Sequence, residues 1–394
     1  MTLPSLRILK NARVYAPEPL GLRDVLVAHG KVLALSLPGQ GALTALAEES
    51  LDLEGRLLVP GLVDSLTHIT GGGGEDGFVS RTPPMRLGDA IEAGVTTVAG
   101  ALGTDRIGQS LNTLYAEVMR LRGLGLGAYL YTGSYHVPPV TLTGDVQRDL
   151  VLVEPVIGVG EIAIADHRGS QPSVEELARI AADAQVGGML AGKSGRVLVH
   201  VGPHESGLDR LFQVAQETAV PLHRFYPTHV NRNRALFAQA ERFAEAGGHV
   251  DLTASTNEKL LQAGEVSCAE GLVRWLRRGL PRDRITFSTD GHASLPVFND
   301  EGGVVGLEVG RMSSLIDALR CCVLEARLPL ESALAPVTSN PARILGLKTK
   351  GRLAEGMDAD MLVLEPETLA LHGVVLGGRV ALWEGERRLR EAFE

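Results

Sequence analysis

Five apolar, β-rich segments of the chain each carry a histidine or an acidic residue at or near the carboxyl end. These residues are His68, Glu161, His200, His229 and Asp290. Imidazole and carboxylate groups are suitable ligands for zinc and similar divalent ions. A lone histidine at a strand end is usually structural, but an acid inside the run VIGVGEIAI needs a cation or hydrogen-bond donors to offset its burial. Five such coincidences favour a metal site.

A divalent ion held by these groups would support hydrolysis. It lowers the pKa of a bound water towards ~7, which supplies hydroxide near neutral pH. Amide hydrolysis also needs a group that accepts a proton and passes it to the departing amine, and a donor that stabilises the tetrahedral oxyanion. Asp290, within ITFSTDGHAS, is placed for the proton transfer. The residues therefore predict metal-dependent amide hydrolysis with Asp290 as the proton shuttle.

The elements that must position these residues alternate in type. Helical-period segments such as VEELARIAADAQ separate continuous apolar runs, which are typical of strands buried on both faces. The eight runs are Leu58–Asp64, Val95–Gly100, Ala128–Tyr131, Val156–Ile164, Arg196–His200, Pro221–His229, His249–Ala254 and Arg284–Asp290. This alternation predicts an α/β fold of the (β/α)₈ TIM-barrel type, in which the carboxyl ends of the strands meet at one mouth. A doubly wound open sheet is the alternative.

Both ends of the chain differ from this middle part. Apolar runs separated by proline and glycine occur near the start, as in DVLVAHGKVLAL, and near the end, as in LHGVVLGGRVALWEG. Such runs are typical of short strands. We expect one small β-sandwich domain formed by residues 1–57 together with 346–394, and a barrel formed by residues 58–345.

Composition excludes several classes of partner. The chain has 394 residues, a net charge of −9 with interspersed signs and 4% aromatic residues, which argues against nucleic acid or an anionic membrane as partner. The start has no signal-peptide pattern and no stretch approaches ~18 charge-free apolar residues, so we expect a cytoplasmic protein. Cys268, Cys321 and Cys322 lack CxxC spacing and fit buried thiols in a reduced compartment.

Several strings resemble the amidohydrolase superfamily, among them LLVPGLVDSLTH at the start of the barrel and GRLAEGMDADMLVLEP after its end. Within that superfamily the chain resembles the isoaspartyl (β-aspartyl) dipeptidases over essentially its whole length. The strings that carry this resemblance are GGGGEDG, VAGALGTD, TGSYHVP, VIGVGEIAIADHR, THVNRN and STDGHASLP. The resemblance implies hydrolysis of the β-aspartyl amide bond of small isoaspartyl dipeptides, one or two Zn²⁺ ions per chain, and a homo-oligomer, with an octamer as one form.

The resemblance also implies roles for residues at the reaction centre. His200 and His229 would bind one metal ion, and His68 would belong to the neighbouring ion. Asp290 would be both a ligand and the proton shuttle. Tyr135, in TGSYHVP, would polarise the scissile carbonyl and stabilise its oxyanion.

A second group of residues would bind the substrate. Glu75 would receive the free α-ammonium group, and Arg168 and Arg232 would bind the carboxylates. Thr104 and Ser294 would add hydrogen bonds. These implied roles suit a β-aspartyl dipeptide, which carries one ammonium and two carboxylates, because guanidinium pairs with carboxylate through two hydrogen bonds.

The chain departs from the family pattern at two positions. The family begins its barrel with His-x-His, but Leu66 occupies the first of these positions and cannot coordinate a metal. The family also bridges its two metals with a carbamylated lysine on the fourth strand, where this chain has Glu161. A glutamate can replace the carbamate, since both are anionic and present two oxygens.

These departures leave the metal count open. We expect the site of Glu161, His200 and His229 to be kept and the site of His68 and Asp290 to be weakened. One ion per chain and two ions per chain both fit the sequence.

Two other functions also fit the sequence. The chain could hydrolyse another N-acyl amino acid or a cyclic amide, or it could be a catalytically inactive scaffold, for which Leu66 is the main support. The buried acids count against a scaffold. His167 and His292 lie near the proposed site in sequence, but we interpret both as structural.

Overall fold

The structure is a computed structural model that describes residues 6–40, 47–74, 77–298, 304–392 and 394. Its strands are β1 (Arg7–Tyr15), β2 (Pro19–Ala28), β3 (Lys31–Ser36), β4 (Glu49–Asp52), β5 (Leu57–Pro60), β6 (Leu62–Thr67), β7 (Val95–Gly100), β8 (Gly127–Thr132), β9 (Val156–Ile164), β10 (Arg196–Val201), β11 (Phe225–Thr228), β12 (Val250–Thr253), β13 (Ile285–Ser288), β14 (Ser294–Phe298), β15 (Val304–Val309), β16 (Met361–Leu364), β17 (Leu371–Leu376), β18 (Arg379–Trp383) and β19 (Glu386–Arg387). Its α-helices are α1 (Leu87–Glu92), α2 (Leu111–Leu124), α3 (Val146–Leu152), α4 (Val174–Ala191), α5 (Asp209–Glu217), α6 (Arg234–Glu245), α7 (Glu258–Gln262), α8 (Cys268–Arg277), α9 (Ser314–Arg320), α10 (Leu330–Leu334) and α11 (Ser339–Ile344).

Eight parallel strands form the centre of the molecule. Strands β6 to β11 pair in sequence order, and β12 pairs with β13. A few hydrogen bonds join the two sheets: on one side the amide of Val230 donates to the carbonyl of Asp251 over 3.3 Å, and on the other the amides of Asp290 and His68 donate to the carbonyls of Leu66 and Gly291 over 3.1 and 2.8 Å. Because helices connect these strands, the expected TIM-barrel-like α/β fold is confirmed.

Helix α4 shows how local sequence sets these connections. The Ser173 side chain accepts from the amide of Glu176, and the Glu176 carboxylate accepts from the amide of Ser173, so the first turn is capped. The helix ends at Gly192, whose φ of 66° is left-handed and suits glycine. Between these caps, Leu177 and Ile180 face the core.

The apolar run expected as one strand over Leu58–Asp64 is divided in the structure. Its first part belongs to β5, which pairs with β1 and β16, while β6 begins at Leu62 and pairs with β7. Gly61 separates the two strands, and a Cβ at this position would lie 2.2 Å from the Thr96 hydroxyl oxygen. The sequence run did not reveal the division because both halves are buried and apolar.

Strands from the two chain ends form one nine-stranded sheet. Its order is β19-β18-β17-β16-β5-β1-β2-β3, with β4 beside β1. One apolar cluster packs on this sheet and includes Leu9, Val27, Leu58 and Val363. The sheet therefore joins segments that are more than 300 residues apart in sequence, such as β5 and β16.

An antiparallel hairpin follows the last barrel strand. Strands β14 and β15 pair from Ser294 opposite Val309, where the sequence analysis placed no strands.

Among the described residues no helix combines the length and apolarity needed to cross a bilayer. The three cysteines are free thiols, with Cys268 and Cys322 buried.

Asp251 on β12 provides a pH-dependent stability test. Burial raises the pKa of Asp251 to about 7, although the hydroxyls of Ser288, Thr286 and Thr228 donate to it over 2.5, 2.6 and 2.8 Å. An unfolded aspartate titrates near pH ~4, so the folded chain binds the extra proton between about pH 4 and pH 7. The contribution of this group to stability is therefore complete at low pH and is lost as the pH rises to about 7.

The substitution Asp251→Asn should remove this pH dependence. Relative to wild type, the free energy of unfolding of the variant should rise by on the order of a few kcal/mol between pH 4 and pH 7. Denaturant unfolding across this range measures the difference. The control is Asp145→Asn, because Asp145 is an exposed N-cap of α3 that asparagine can replace. Equal pH slopes for wild type and Asp251→Asn would contradict the raised pKa.

Candidate metal centre

Three side chains meet where β9, β10 and β11 end. They are Glu161, His200 and His229, whose ligand atoms all lie within 4.8 Å of one another. Oε1 of Glu161 is 3.6 Å from Nδ1 of His200 and 3.8 Å from Nε2 of His229. Ligands about 2.1 Å from a tetrahedral zinc ion lie about 3.4 Å from each other. The observed spacing therefore leaves room for one ion at the centre.

The Glu161 carboxylate requires a cation. Both of its oxygens are buried, and no donor in the described part of the chain hydrogen-bonds to either oxygen. Burial alone raises the pKa of Glu161, but interactions with His200 and His229 outweigh it and hold the pKa well below its usual range. An ionised carboxylate in this position is costly without a compensating charge. The donor set consequently fits a divalent ion.

His68 and Asp290 lie beside this cluster. Nε2 of His68 is 3.2 Å from Oδ1 of Asp290 and 3.9 Å from Oε2 of Glu161. Burial lowers the pKa of His68, but the two carboxylates raise it by a larger amount, so that the pKa lies at about 9. Nδ1 of His68 lies 3.2 Å from the carbonyl of Ala101, which leaves Nε2 facing the acids. The structure thus brings all five predicted ligands together.

Leu66 points elsewhere. Its side chain is fully buried in the apolar cluster inside the barrel, with Val63, Tyr131 and Leu198. The Leu66 side chain contributes to packing and offers no ligand atom. The ligand-type groups beside the cluster are therefore the His68 imidazole and the neighbouring carboxylates.

Two of the converging residues have an unusual backbone. His229 has a φ of 61° and Asp290 a φ of 51°. Left-handed conformations of this kind cost on the order of 1–3 kcal/mol for residues other than glycine and concentrate at functional sites. Here they turn both side chains towards Glu161 immediately after their strands end.

Asp166 is a site residue that the sequence analysis missed. Its Oδ2 lies 2.9 Å from Nε2 of His200 and accepts from Nη2 of Arg168 over 2.8 Å. Burial raises the pKa of Asp166, but His200 and Arg168 lower it far more. Carboxylates that hydrogen-bond to the distal nitrogen of a ligating histidine fix its orientation. The available signal was that Asp166 follows β9 by two residues.

Thr253 plays the equivalent part for the second histidine. Its hydroxyl oxygen is 2.6 Å from Nδ1 of His229, which leaves Nε2 directed at Glu161. Each histidine therefore has its far nitrogen, Nε2 of His200 or Nδ1 of His229, held from behind, while its other nitrogen faces Glu161.

Tyr135 reaches the centre from the other side. Its hydroxyl lies 2.7 Å from Nδ1 of His200. Burial raises the pKa of Tyr135 well above its usual value, so the hydroxyl keeps its proton and can donate.

A cavity of about 250 Å³ opens above these groups. Its size suits a small molecule. The predicted residues in its lining are His68, Thr104, Tyr135, Arg168, His200, Arg232, Asp290 and Ser294. Arg81, Asp105 and Gln109 also line it and were not predicted. Glu75 lies outside the described residues.

Two nearby histidines stay apart from the cluster, as the sequence analysis interpreted them. The His167 imidazole is 90% exposed. His292 places Nδ1 3.0 Å from the carbonyl of Pro83 and Nε2 3.4 Å from the Asp89 carboxylate.

Comparison with known proteins agrees with this fold. Residues 57–381 match the amidohydrolase family, and the chain belongs to it. The structure of a β-aspartyl dipeptidase from Fervidobacterium islandicum AW-1 in complex with a β-Asp-Leu dipeptide is 44% identical, covers 100% of both chains and has a TM-score of 0.91. A second structure of a β-aspartyl dipeptidase from that organism is 41% identical, covers 99% of this chain and 100% of that chain and has a TM-score of 0.88. Within the amidohydrolases the chain is therefore a member of the β-aspartyl dipeptidase family, as its motifs predicted.

A more distant relative has a different activity. A deacetylase of Agrobacterium fabrum is 25% identical over 390 residues, which cover 94% of this chain and 84% of that protein.

The substitution Asp166→Asn tests how the centre is held. It keeps the shape of the side chain but removes the charge that orients His200, so zinc affinity should fall by roughly 10- to 100-fold. Competition with a chromophoric chelator measures the dissociation constant. Asp183→Asn is the control, because Asp183 only accepts from Gln147 between α3 and α4. Unchanged zinc affinity in Asp166→Asn would show that His200 is oriented without this carboxylate.

Proposed function

We propose that this chain is a metal-dependent hydrolase that cleaves the β-aspartyl amide bond of small isoaspartyl dipeptides. One observation carries the proposal: the cluster of Glu161, His200 and His229 lies beneath a cavity of about 250 Å³ that Arg168 and Arg232 line. A metal site beside two guanidinium groups suits a small substrate with two carboxylates and a hydrolysable amide. The similarity to an enzyme structure that contains β-Asp-Leu supports the same substrate class.

Recognition of the substrate would rest on charge. Arg168 and Arg232 would pair with the two carboxylates, and Thr104 and Ser294 would add hydrogen bonds. Nε of Arg232 is buried and has no hydrogen-bond partner in the described part of the chain, which supports a role in binding. Glu75, on the glycine-rich segment after β6, would receive the α-ammonium group.

The proposed metal is zinc, with one ion held more tightly than a second. Glu161, His200 and His229 would hold the tight ion, which when bound supplies Lewis acidity and lowers the pKa of water. His68 and Asp290 would form a weaker second site, because Leu66 offers no ligand.

The remaining chemistry would be done by two side chains of this protein. Asp290 would accept a proton from the attacking water at its carboxylate and pass it to the departing amine. The Tyr135 hydroxyl would donate a hydrogen bond to the developing oxyanion. Both line the cavity, and the Tyr135 hydroxyl is protonated because burial raises its pKa.

The proposal also covers the architecture of the whole chain. The eight parallel strands would close into a (β/α)₈ barrel of residues 58–345, and residues 1–57 with 346–394 would form a small β-sandwich domain. Pairing of β5 within the nine-stranded sheet moves the first boundary to about Gly61. A homo-oligomer, with the octamer as one form, and a cytoplasmic location belong to the same proposal.

Turnover of a substrate panel tests this function. The purified enzyme should release leucine from β-Asp-Leu, and N-acetyl amino acids and hydantoins should be cleaved more slowly or not at all. Chelation should abolish activity, and about one equivalent of zinc per chain should restore most of it. Inert β-Asp-Leu with turnover of another amide would favour the broader amidohydrolase function, and absence of both metal and activity would favour the scaffold.

Tyr135→Phe tests the proposed oxyanion donor. Loss of one such donor lowers kcat by roughly 10²- to 10³-fold, whereas KM for β-Asp-Leu should change little because the arginines remain. Steady-state kinetics separates the two constants. Tyr115→Phe, on the exposed side of α2, is the matched control. A large rise in KM at constant kcat would instead place Tyr135 in ground-state binding.

A further inference from the structure

Basic residues stand at the amino ends of four neighbouring barrel strands, opposite the metal centre. Arg196 is the first residue of β10, and Arg224, His249 and Arg284 directly precede β11, β12 and β13. Strand register places Arg196 level with Arg224, since Val197 pairs with Phe225, and His249 level with Arg284, since Val250 pairs with Ile285. We call these four residues the basic half-ring.

Side-chain alternation directs two members of the half-ring into the barrel. On β10, Val197 packs outward against the helices, whereas Leu198 packs inside the barrel with Tyr226 of β11. Residues two positions apart share a face of a strand, so Arg196 lies on the inner side. On β12, Val250 belongs to the outer cluster, which places His249 on the inner side as well.

The half-ring has cations without matching anions. In the described part of the chain, neither Arg196 nor Arg284 forms an ion pair. Nε of Arg196 donates to the carbonyl of His223 over 3.0 Å, and Nη1 of Arg284 donates to the carbonyl of Ala244 over 2.6 Å. The nearby acid Asp283 is already paired with Arg343 over 3.2 Å.

Two buried nitrogens in the half-ring have no partner at all among the described residues. They are Nε of Arg224 and Nδ1 of His249, and the His249 side chain is more than nine-tenths buried. Unpartnered buried polar atoms are rare in folded proteins and call for a ligand or water. Burial first, and then the charges of Arg196, Arg343 and Arg284, lower the pKa of His249 to about 3.

We propose that the basic half-ring binds a small oxyanion of the phosphate class, centred on Arg224 between Arg196 and His249. Neighbouring strands lie about 4.8 Å apart, so guanidinium groups at one level can reach the same anion. A tetrahedral oxyanion supplies acceptors for several N–H groups and offsets the like-charge repulsion. The site is separate from the proposed catalytic cavity and would stabilise the amino-terminal end of the barrel.

Thermal unfolding with added inorganic phosphate tests the site. The zinc-loaded enzyme is compared in phosphate and in chloride at matched ionic strength, with Arg224→Gln and with Arg13→Gln as an exposed arginine control on β1. Arg232→Gln reports binding of phosphate in the catalytic cavity. Phosphate should raise the Tm of wild type, Arg13→Gln and Arg232→Gln by on the order of 1–3 °C. Arg224→Gln should respond less than half as much and should keep the activity of wild type.

Two results would overturn the proposal. One is an equal phosphate response in wild type and Arg224→Gln, and the other is a response lost only in Arg232→Gln, which would place the anion at the catalytic cavity. If Arg224→Gln does not fold, His249→Gln replaces it with the same expectation. Repeating the titration with a phosphate monoester distinguishes a free-phosphate site from one that accepts organic phosphates.

Discussion

Glu161 holds an ionised carboxylate inside the barrel, with both oxygens buried and without a hydrogen-bond donor among the described residues. Removing such a charge from water costs several kcal/mol unless an opposite charge compensates it. The surrounding structure is arranged around this requirement. His200 and His229 present one nitrogen each at 3.6 and 3.8 Å from Oε1, a spacing that suits a shared cation and is too long for direct hydrogen bonds.

The residues of the proposed centre are held from behind. Asp166 and Thr253 hydrogen-bond to the two histidines, and Gly103 approaches His68 so closely that a Cβ there would lie 2.7 Å from the ring. Asp166 also binds Arg168 through both carboxylate oxygens. One buried carboxylate therefore links a proposed metal ligand to an arginine that lines the cavity.

Charged side chains gather at both ends of the barrel. At the carboxyl ends of the strands, acids and histidines surround the position of the proposed ion, and arginines line the cavity above it. At the amino ends of β10 to β13 lies the basic half-ring, where burial first, and then Arg343 and Arg224, lower the pKa of the half-buried Arg196 to about 10. Between these layers, Asp251 accepts hydrogen bonds from hydroxyls. Charge compensation by ligands at both ends is consistent with this arrangement.

Much of the candidate metal centre could be predicted from residue types and their positions in the predicted strands. Four ligand-type residues stood at or just after the ends of apolar runs and Glu161 stood inside one, and because parallel strands of a barrel end at one mouth, their convergence was predictable. The motifs also identified the family. Leu66 was visible as the missing histidine, although its inward packing among apolar side chains was not.

The sequence by itself determined most of the barrel strands and helices, because periodic apolar burial and helix caps act over a few residues, and it determined which side chains could bind a metal. Only the tertiary structure decided how those elements meet. It divided one apolar run at Gly61 between two sheets, placed Asp166 between His200 and Arg168, and aligned the basic half-ring across four strands. These features depend on contacts between segments far apart in the chain, and no local pattern encodes the register or the distance that creates them.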